Sequence, residues 1–156
     1  MNYAKIMHIV LYKPDIPQNT AAIIRLGACL NLKIHLIEPC GFNLNDNRFK
    51  RVVMDYLNLS QITRYDDFEK FLKKYKKSRI VLMTTKAKKL YHKFRFKKHD
   101  MLLFGRESAG VPDELHKILK NKVKIPMNKK TRSLNVAMSV AIVATEALRQ
   151  IIYLND

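Results

Sequence analysis

With 156 residues, 47% apolar content and 30 Lys plus Arg against 13 Asp plus Glu, the sequence has the size of one domain, enough apolar residues for a core and a formal net charge of +17. That balance excludes a disordered charged tail and points to a polyanionic partner met through one face or groove. No uninterrupted apolar stretch reaches the roughly 18 residues of a membrane span, and the apolar run at residues 6–11 is too short for a signal peptide, so a soluble, cytoplasmic single domain over 1–156 is expected. Cys29 and Cys40 stand apart from any CxxC or Cys/His cluster, so both are read as reduced and structural, with no metal site.

In chain order, IMHIVL at residues 6–11 reads as a buried strand, and Pro14, Pro17 and Asn19 supply turn and helix-start signals ahead of a helix at 21–30. KIHLI at 33–37 is a second strand closed by Glu38, Pro39 and Gly41, and 43–47 is a polar loop. Residues 66–77 form the clearest helix. Phe68, Phe71, Leu72 and Tyr75 fall on one face, Asp66 and Glu69 have capping-box spacing, and lysines fill the last turn. RIVLMT at 79–84, MLLF at 101–104 and residues 123–125 suit buried parallel strands, and 135–153 is a long closing helix with Val136, Val140, Val143, Ala147 and Ile151 on its apolar face. Alternating strands and helices imply an α/β fold with a mainly parallel sheet flanked by helices, whose ligands bind beyond the carboxyl ends of the strands.

The charge is concentrated. From Lys70 to Lys98 there are thirteen basic residues and no acidic one, with Tyr75, Tyr91, Phe94 and Phe96 interleaved, a composition suited to phosphate contact and to stacking on unpaired bases. A second basic cluster runs from Lys117 to Arg132. Twenty-one of the thirty basic residues are lysines, which serve equally well as a solvated face.

Three segments carry chemical signals. In PQNTAAIIR (17–25), Arg25 lies within an apolar helical string and reads either as a snorkelling side chain or as an anion clamp. In FGRESAGVP (104–112), a strand enters a loop with Gly105 and Gly110 five apart. No Lys-Ser/Thr follows, so it is neither a P-loop nor GxGxxG, and Glu107 reads as a solvated turn residue or a site for a hydroxyl-bearing or cationic ligand. In IPMNKKTRSLNV (125–136), Ser133 or Asn135 is a candidate helix N-cap, while Arg132, Ser133 and Asn135 also place a cation, a hydroxyl and an amide at the mouth of a parallel sheet.

Taken together and in this order, the three segments resemble the motifs of the SpoU-type RNA 2′-O-ribose methyltransferases of the SPOUT class, over nearly the whole chain. LYKPDIPQNTAAIIR, HLIEPCGF, Asp55-Tyr56 and the TTK of 84–86 look most like the minimal branch that methylates the wobble cytidine or uridine of tRNA. The resemblance implies a C-terminal deep trefoil knot, a homodimer, tRNA as partner and S-adenosylmethionine as methyl donor. It implies Met83, Gly105, Ile125, Ser133 and Leu134 at the cofactor, Arg25, Glu107 and Asn135 at the reacting ribose, and Arg25, Arg132, Lys86, Lys88 and Lys89 on the RNA. Ala21, Ala137 and Thr145 depart from residues common in relatives. Methylation of another tRNA or rRNA site, or a non-catalytic RNA-binding module, is the alternative.

Overall fold

The structure is a computed structural model that describes residues 6–57 and 61–153, so the two ends of the expected 1–156 domain lie outside the described residues. Seven strands form one sheet in the order β3-β2-β1-β6-β4-β7-β5, and every pairing is parallel. They are β1 (His8–Tyr12), β2 (Lys33–Ile37), β3 (Gln61–Tyr65), β4 (Ile80–Met83), β5 (Lys89–Leu90), β6 (Met101–Phe104) and β7 (Asn121–Lys124). The helices are α1 (Pro17–Leu30), α2 (Asn47–Leu57), α3 (Phe68–Lys74), α4 (Asp113–Ile118) and α5 (Val136–Tyr153).

Strand alternation sorts the core into two layers. Ile9, Leu11, Ile34, Leu36, Val81, Leu102, Phe104 and Val123 face α1 and α5, where Ile23, Val140, Val143, Ala144, Ala147 and Ile151 complete the cluster. Val10, Tyr12, Leu82, Met101 and Leu103 face α3 and α4, where Phe68, Phe71 and Leu115, with Leu119 just past the end of α4, complete the cluster. Each large side chain taken fully from water contributes about 1.5–3 kcal/mol, so these layers dominate the stability of the sheet. A third cluster, Ala21, Ile24, Phe49 and Val53, holds α2 against the outer side of α1.

Several boundaries shift for local reasons. The first strand spans His8–Tyr12 rather than 6–11, and α1 starts at Pro17, four residues before the expected position, because proline's fixed φ and missing N–H suit the first turn. The third helix is shorter than 66–77, and its cap is Asp67, whose carboxylate accepts the Lys70 N–H at 2.7 Å; Asp66 pairs instead with the Lys70 ammonium. Strand β4 is trimmed to Ile80–Met83, and β7 begins two residues earlier than 123. The polar loop gives way to α2 at Asn47, and α2, β3 and β5 were not expected as elements.

Helix α5 has by length and composition what a membrane span needs, and Val140, Val143, Ala144, Ala147 and Ile151 are buried against the sheet. One further expectation is corrected. Phe94 and Phe96 are core residues, 8% and 3% exposed, so neither can stack on a base, and Tyr75 packs among His35, Phe71 and Tyr65. Of the cysteines, both free, Cys29 is exposed; Cys40 is half-buried, and burial pushes its thiol pKa up to about 11.

Candidate active site

Parallel pairing carries the carboxyl ends of β1, β6, β4 and β7 to one edge, where the segments 13–16, 105–112, 84–88 and 125–135 meet. They enclose a cavity of about 440 Å³. Met83, Gly105, Ile125, Ser133 and Leu134, the five residues expected at the cofactor, all line it, as do Glu107 and Asn135. Thr84, Thr85 and Lys86 close one side and Val111, His116 and Met127 another, so the wall combines apolar side chains with exposed backbone.

The loop after β6 is a closed turn. Arg106 N–H donates to Gly110 O at 3.1 Å and Gly110 N–H returns to Arg106 O at 2.8 Å. A Cβ on Gly105 would stand 2.5 Å from the Gly110 carbonyl carbon, and Gly110 has φ +67, so both positions require glycine. Backbone thus approaches backbone here, leaving a cradle in which peptide groups and apolar side chains can hold an adenine ring and polar ends can meet an amino acid. The volume lies within the range of small-ligand sites, and the lining fits a nucleoside-type cofactor.

A polar chain crosses the floor of this site. Glu107 accepts from Asn19 Nδ2 at 3.1 Å and from the Asp15 N–H at 2.8 Å, and Asn19 Oδ1 accepts from Asn135 Nδ2 at 2.8 Å. Asn135 also caps α5, its Oδ1 accepting the N–H groups of Ala137 and Met138 at 2.9 and 3.2 Å. The two readings of Asn135, helix cap and site residue, therefore hold together: one side chain fixes the helix start and keeps an amide proton for the cavity.

Arg25 is placed elsewhere. It lies on the exposed side of α1, its guanidinium over the Tyr56 ring at 5.2 Å, and it does not line the cavity. Lys86 lies at the cavity rim, where its ammonium meets Asp113 at 3.1 Å; Lys88, Lys89 and Arg132 are exposed, and Lys89 sits over Phe94 at 5.4 Å. Arg79, counted in the basic run, is instead bound to the buried Asp100 at 2.6 Å. Among the described residues, no cluster of three or more His, Cys, Asp or Glu has the arrangement of a metal site.

Comparison with known proteins decides the family, since a sequence model described as the SpoU rRNA Methylase family matches residues 6–145. The chain belongs to the SpoU methylase family. It is 45% identical over 145 residues to the tRNA (cytidine(34)-2′-O)-methyltransferase of Beijerinckia indica subsp. indica, covering 92% of this chain and 91% of that protein. A structure solved to give insight into the 2-OH methylation of C/U34 on tRNA superposes with TM-score 0.88 at 38% identity, covering 92% of this chain and 95% of the other. The AdoMet-bound rRNA methyltransferase from Sinorhizobium meliloti superposes with TM-score 0.84 at 25% identity over 94% of this chain and 57% of its own.

Other site residues of this SpoU methylase escaped sequence reasoning. Asn19 was read as a helix-start signal and as part of the first motif, with no role assigned to it, yet it is 8% exposed and joins the second and third segments. Asp15, Arg106 and Ser108 form a further set of contacts at the rear of the loop. His116 lines the cavity and has its pKa lowered, chiefly by burial. The position of Asn19 in the first helical turn, immediately after Pro-Gln, was the available signal; for Asp15 it was the carboxylate set among turn prolines.

Proposed function

We propose that this chain methylates the ribose 2′-hydroxyl of the wobble cytidine or uridine in a tRNA anticodon, using S-adenosylmethionine, as a cytoplasmic homodimer. The observation that carries the reading is the meeting of Met83, Gly105, Ile125, Ser133 and Leu134 around one cavity whose floor is the Glu107–Asn19–Asn135 chain. The likeness to the tRNA (cytidine(34)-2′-O)-methyltransferase over nearly the whole length of both proteins supports the substrate. We read the C-terminal part as threaded into a deep trefoil knot, an exception to the rule that chains avoid them. An order in which β6 and β7 flank β4 on opposite sides is consistent with that threading.

When bound, the cofactor supplies a methyl group that moves to oxygen as the O–C bond forms and the S–C bond breaks. The protein's work is alignment and handling of one proton. Holding hydroxyl and methyl in line contributes several kcal/mol, on the order of 7–11 at best. Asn135, fixed by its cap and by Asn19, presents its second amide proton to the ribose, and Ser133 orients the cofactor. Glu107 is held by Asp15 and Asn19, which sets its carboxylate as an oriented acceptor at the cavity wall. Arg25 stays protonated, so it clamps a target phosphate and stabilises the developing oxyanion while that phosphate or a carboxylate takes the hydroxyl proton. Its place outside its own cavity fits a site completed across a two-fold axis, with Arg25 of one protomer serving the cavity of the other. Lys86, Lys88, Lys89 and Arg132 at and beyond the rim then meet the RNA backbone, and two chains bring a charge of roughly +34 to the encounter.

Methylation of ribosomal RNA is the second reading, favoured by the likeness to the Sinorhizobium meliloti enzyme. Mapping 2′-O-methyl groups across total tRNA and rRNA in a deletion strain separates the two: loss confined to position 34 of tRNA supports the first, and loss confined to rRNA overturns it.

A further inference from the structure

The segment joining β1 to α1 is tied to neighbouring loops and strands at Lys13, Pro14 and Asp15. Lys13, at φ +45, donates its N–H to Ile37 O at 2.9 Å, and Pro14 O accepts from Gly41 N–H at 2.8 Å. Asp15 then sends its carboxylate across to the loop after β6. It accepts from Arg106 Nε–H at 3.0 Å and from Nη2, from Ser108 N–H at 3.0 Å and from Ser108 Oγ at 2.5 Å. Glu107, between those two residues, points the other way, and its carboxylate accepts from the Asp15 N–H and from Asn19. The two loops therefore exchange carboxylates, one in each direction. The Arg106 guanidinium, then Ser108, holds the Asp15 carboxyl pKa down to about 2, so the clasp is ionised at every working pH.

We propose that Asp15 is a positioning residue of the methyl-transfer site: by gripping Arg106 and Ser108 it turns Glu107 toward Asn19 and keeps the 105–110 turn closed around the cofactor cradle. The inference rests on the methyl-transfer reading for its functional consequence. Asp15 does not line the cavity and acts only through the loop. Its side chain is 16% exposed and that of Arg106 37%, so the grip is partly shielded from water. Residues 108–110 are exposed, and among the described residues the hydrogen bonds that hold them are those of the Arg106–Gly110 pair and of Asp15. Without the carboxylate, the loop must be ordered at the moment of ligand binding, and that cost falls on cofactor affinity. Charge-assisted hydrogen bonds of this kind make the expected loss about tenfold or more.

The test uses the full-length protein with S-adenosylhomocysteine, which binds without reacting, in calorimetry, and S-adenosylmethionine with unmodified tRNA in steady-state kinetics. Asp15→Asn raises the dissociation constant and the cofactor KM by about tenfold, and Asp15→Glu recovers both to within about threefold. Combining Asp15→Asn with Glu107→Gln costs less than the product of the single effects, because both act through one carboxylate. Hydrogen exchange at the amides of Arg106, Ser108 and Gly110 accelerates in Asp15→Asn, while exchange beneath α3 is unchanged. Cofactor binding equal to wild type in Asp15→Asn, or multiplicative effects in the double variant, overturns the proposal, even if the variant melts at a lower temperature. A wild-type chain that binds no cofactor sinks the methyl-transfer reading and the functional part of the proposal; the exchange experiment still decides whether the clasp orders the loop.

Discussion

Two hydrogen-bonded networks lie at different places on the same sheet. Beneath α3, His8 Nδ1 and His35 Nε2 are 2.8 Å apart in stacked rings, His35 Nδ1 meets Tyr65 Oη at 3.3 Å, and Tyr65 reaches Tyr75 at 3.4 Å. At the strand ends, Asp15, Arg106, Glu107, Asn19 and Asn135 make the second chain. The first ends in core rings, with His8 and His35 at 7% and 1% exposure. The second ends at a cavity wall. Satisfied buried polar groups are thus no mark of chemistry in themselves, since both networks have them; what separates the site is that its last donors face space a ligand can fill.

The largest expected effect belongs to the first network. Burial, then nearby positive charge and the His–His contact, lowers the pKa values of His8 to about 4 and His35 to about 3. The folded state therefore keeps both rings neutral while the unfolded chain protonates them below about 6.5. Stability is full above pH 6.5 and falls as pH drops toward 4, by roughly 5 kcal/mol for the pair. Urea titrations at pH 7 and pH 4.5 check this, and equal unfolding free energies would show that the cluster carries no such penalty.

Salt acts on the other region's rim. Raising salt from about 50 to 200 mM weakens tRNA binding by roughly a thousandfold if six or more phosphates are contacted, while cofactor affinity changes little. Filter binding at several salt concentrations measures the slope; a flat response would make the lysine excess a solvated face only. Arg25→Ala comes next. Turnover falls on the order of a hundredfold with cofactor affinity unchanged, because the proposed contact of Arg25 is the RNA phosphate and not the cofactor, whereas Asn135→Ala weakens both. The smallest effect concerns a group in neither network. Thr20 Oγ1 is fully buried with no hydrogen-bond partner among the described residues, so Thr20→Val is neutral or stabilising by about 1 kcal/mol in thermal unfolding.

Sequence reasoning read the sheet well where a strand is apolar on both faces, as at 101–104, because burial leaves an uninterrupted run. It missed β3, whose QITRY carries Thr63 and an Arg64 that reaches Glu38 at 2.8 Å, and the two-residue β5, whose lysine faces solvent at the sheet edge. The aromatics of the basic run misled for the opposite reason: alternation with lysine looks alike whether Phe94 and Phe96 stack on a base or close the core. Of the site, Met83, Gly105, Ile125, Ser133 and Leu134 were legible as cavity-lining positions through motif resemblance, the first three standing at strand ends and the last two just before α5. Asp15 and Asn19 were not, because their role comes from partners about 90 residues or more away.

Methyl transfer from this cavity to a wobble-position 2′-hydroxyl is tested most directly with purified protein, labelled S-adenosylmethionine and two otherwise identical anticodon stem-loops, one carrying ribose and the other 2′-deoxyribose at position 34. Label transferred to the ribose RNA at that nucleotide, and none to the deoxy form, is the expected result. Equal labelling of both, or labelling of neither alongside tight cofactor binding, would contradict it.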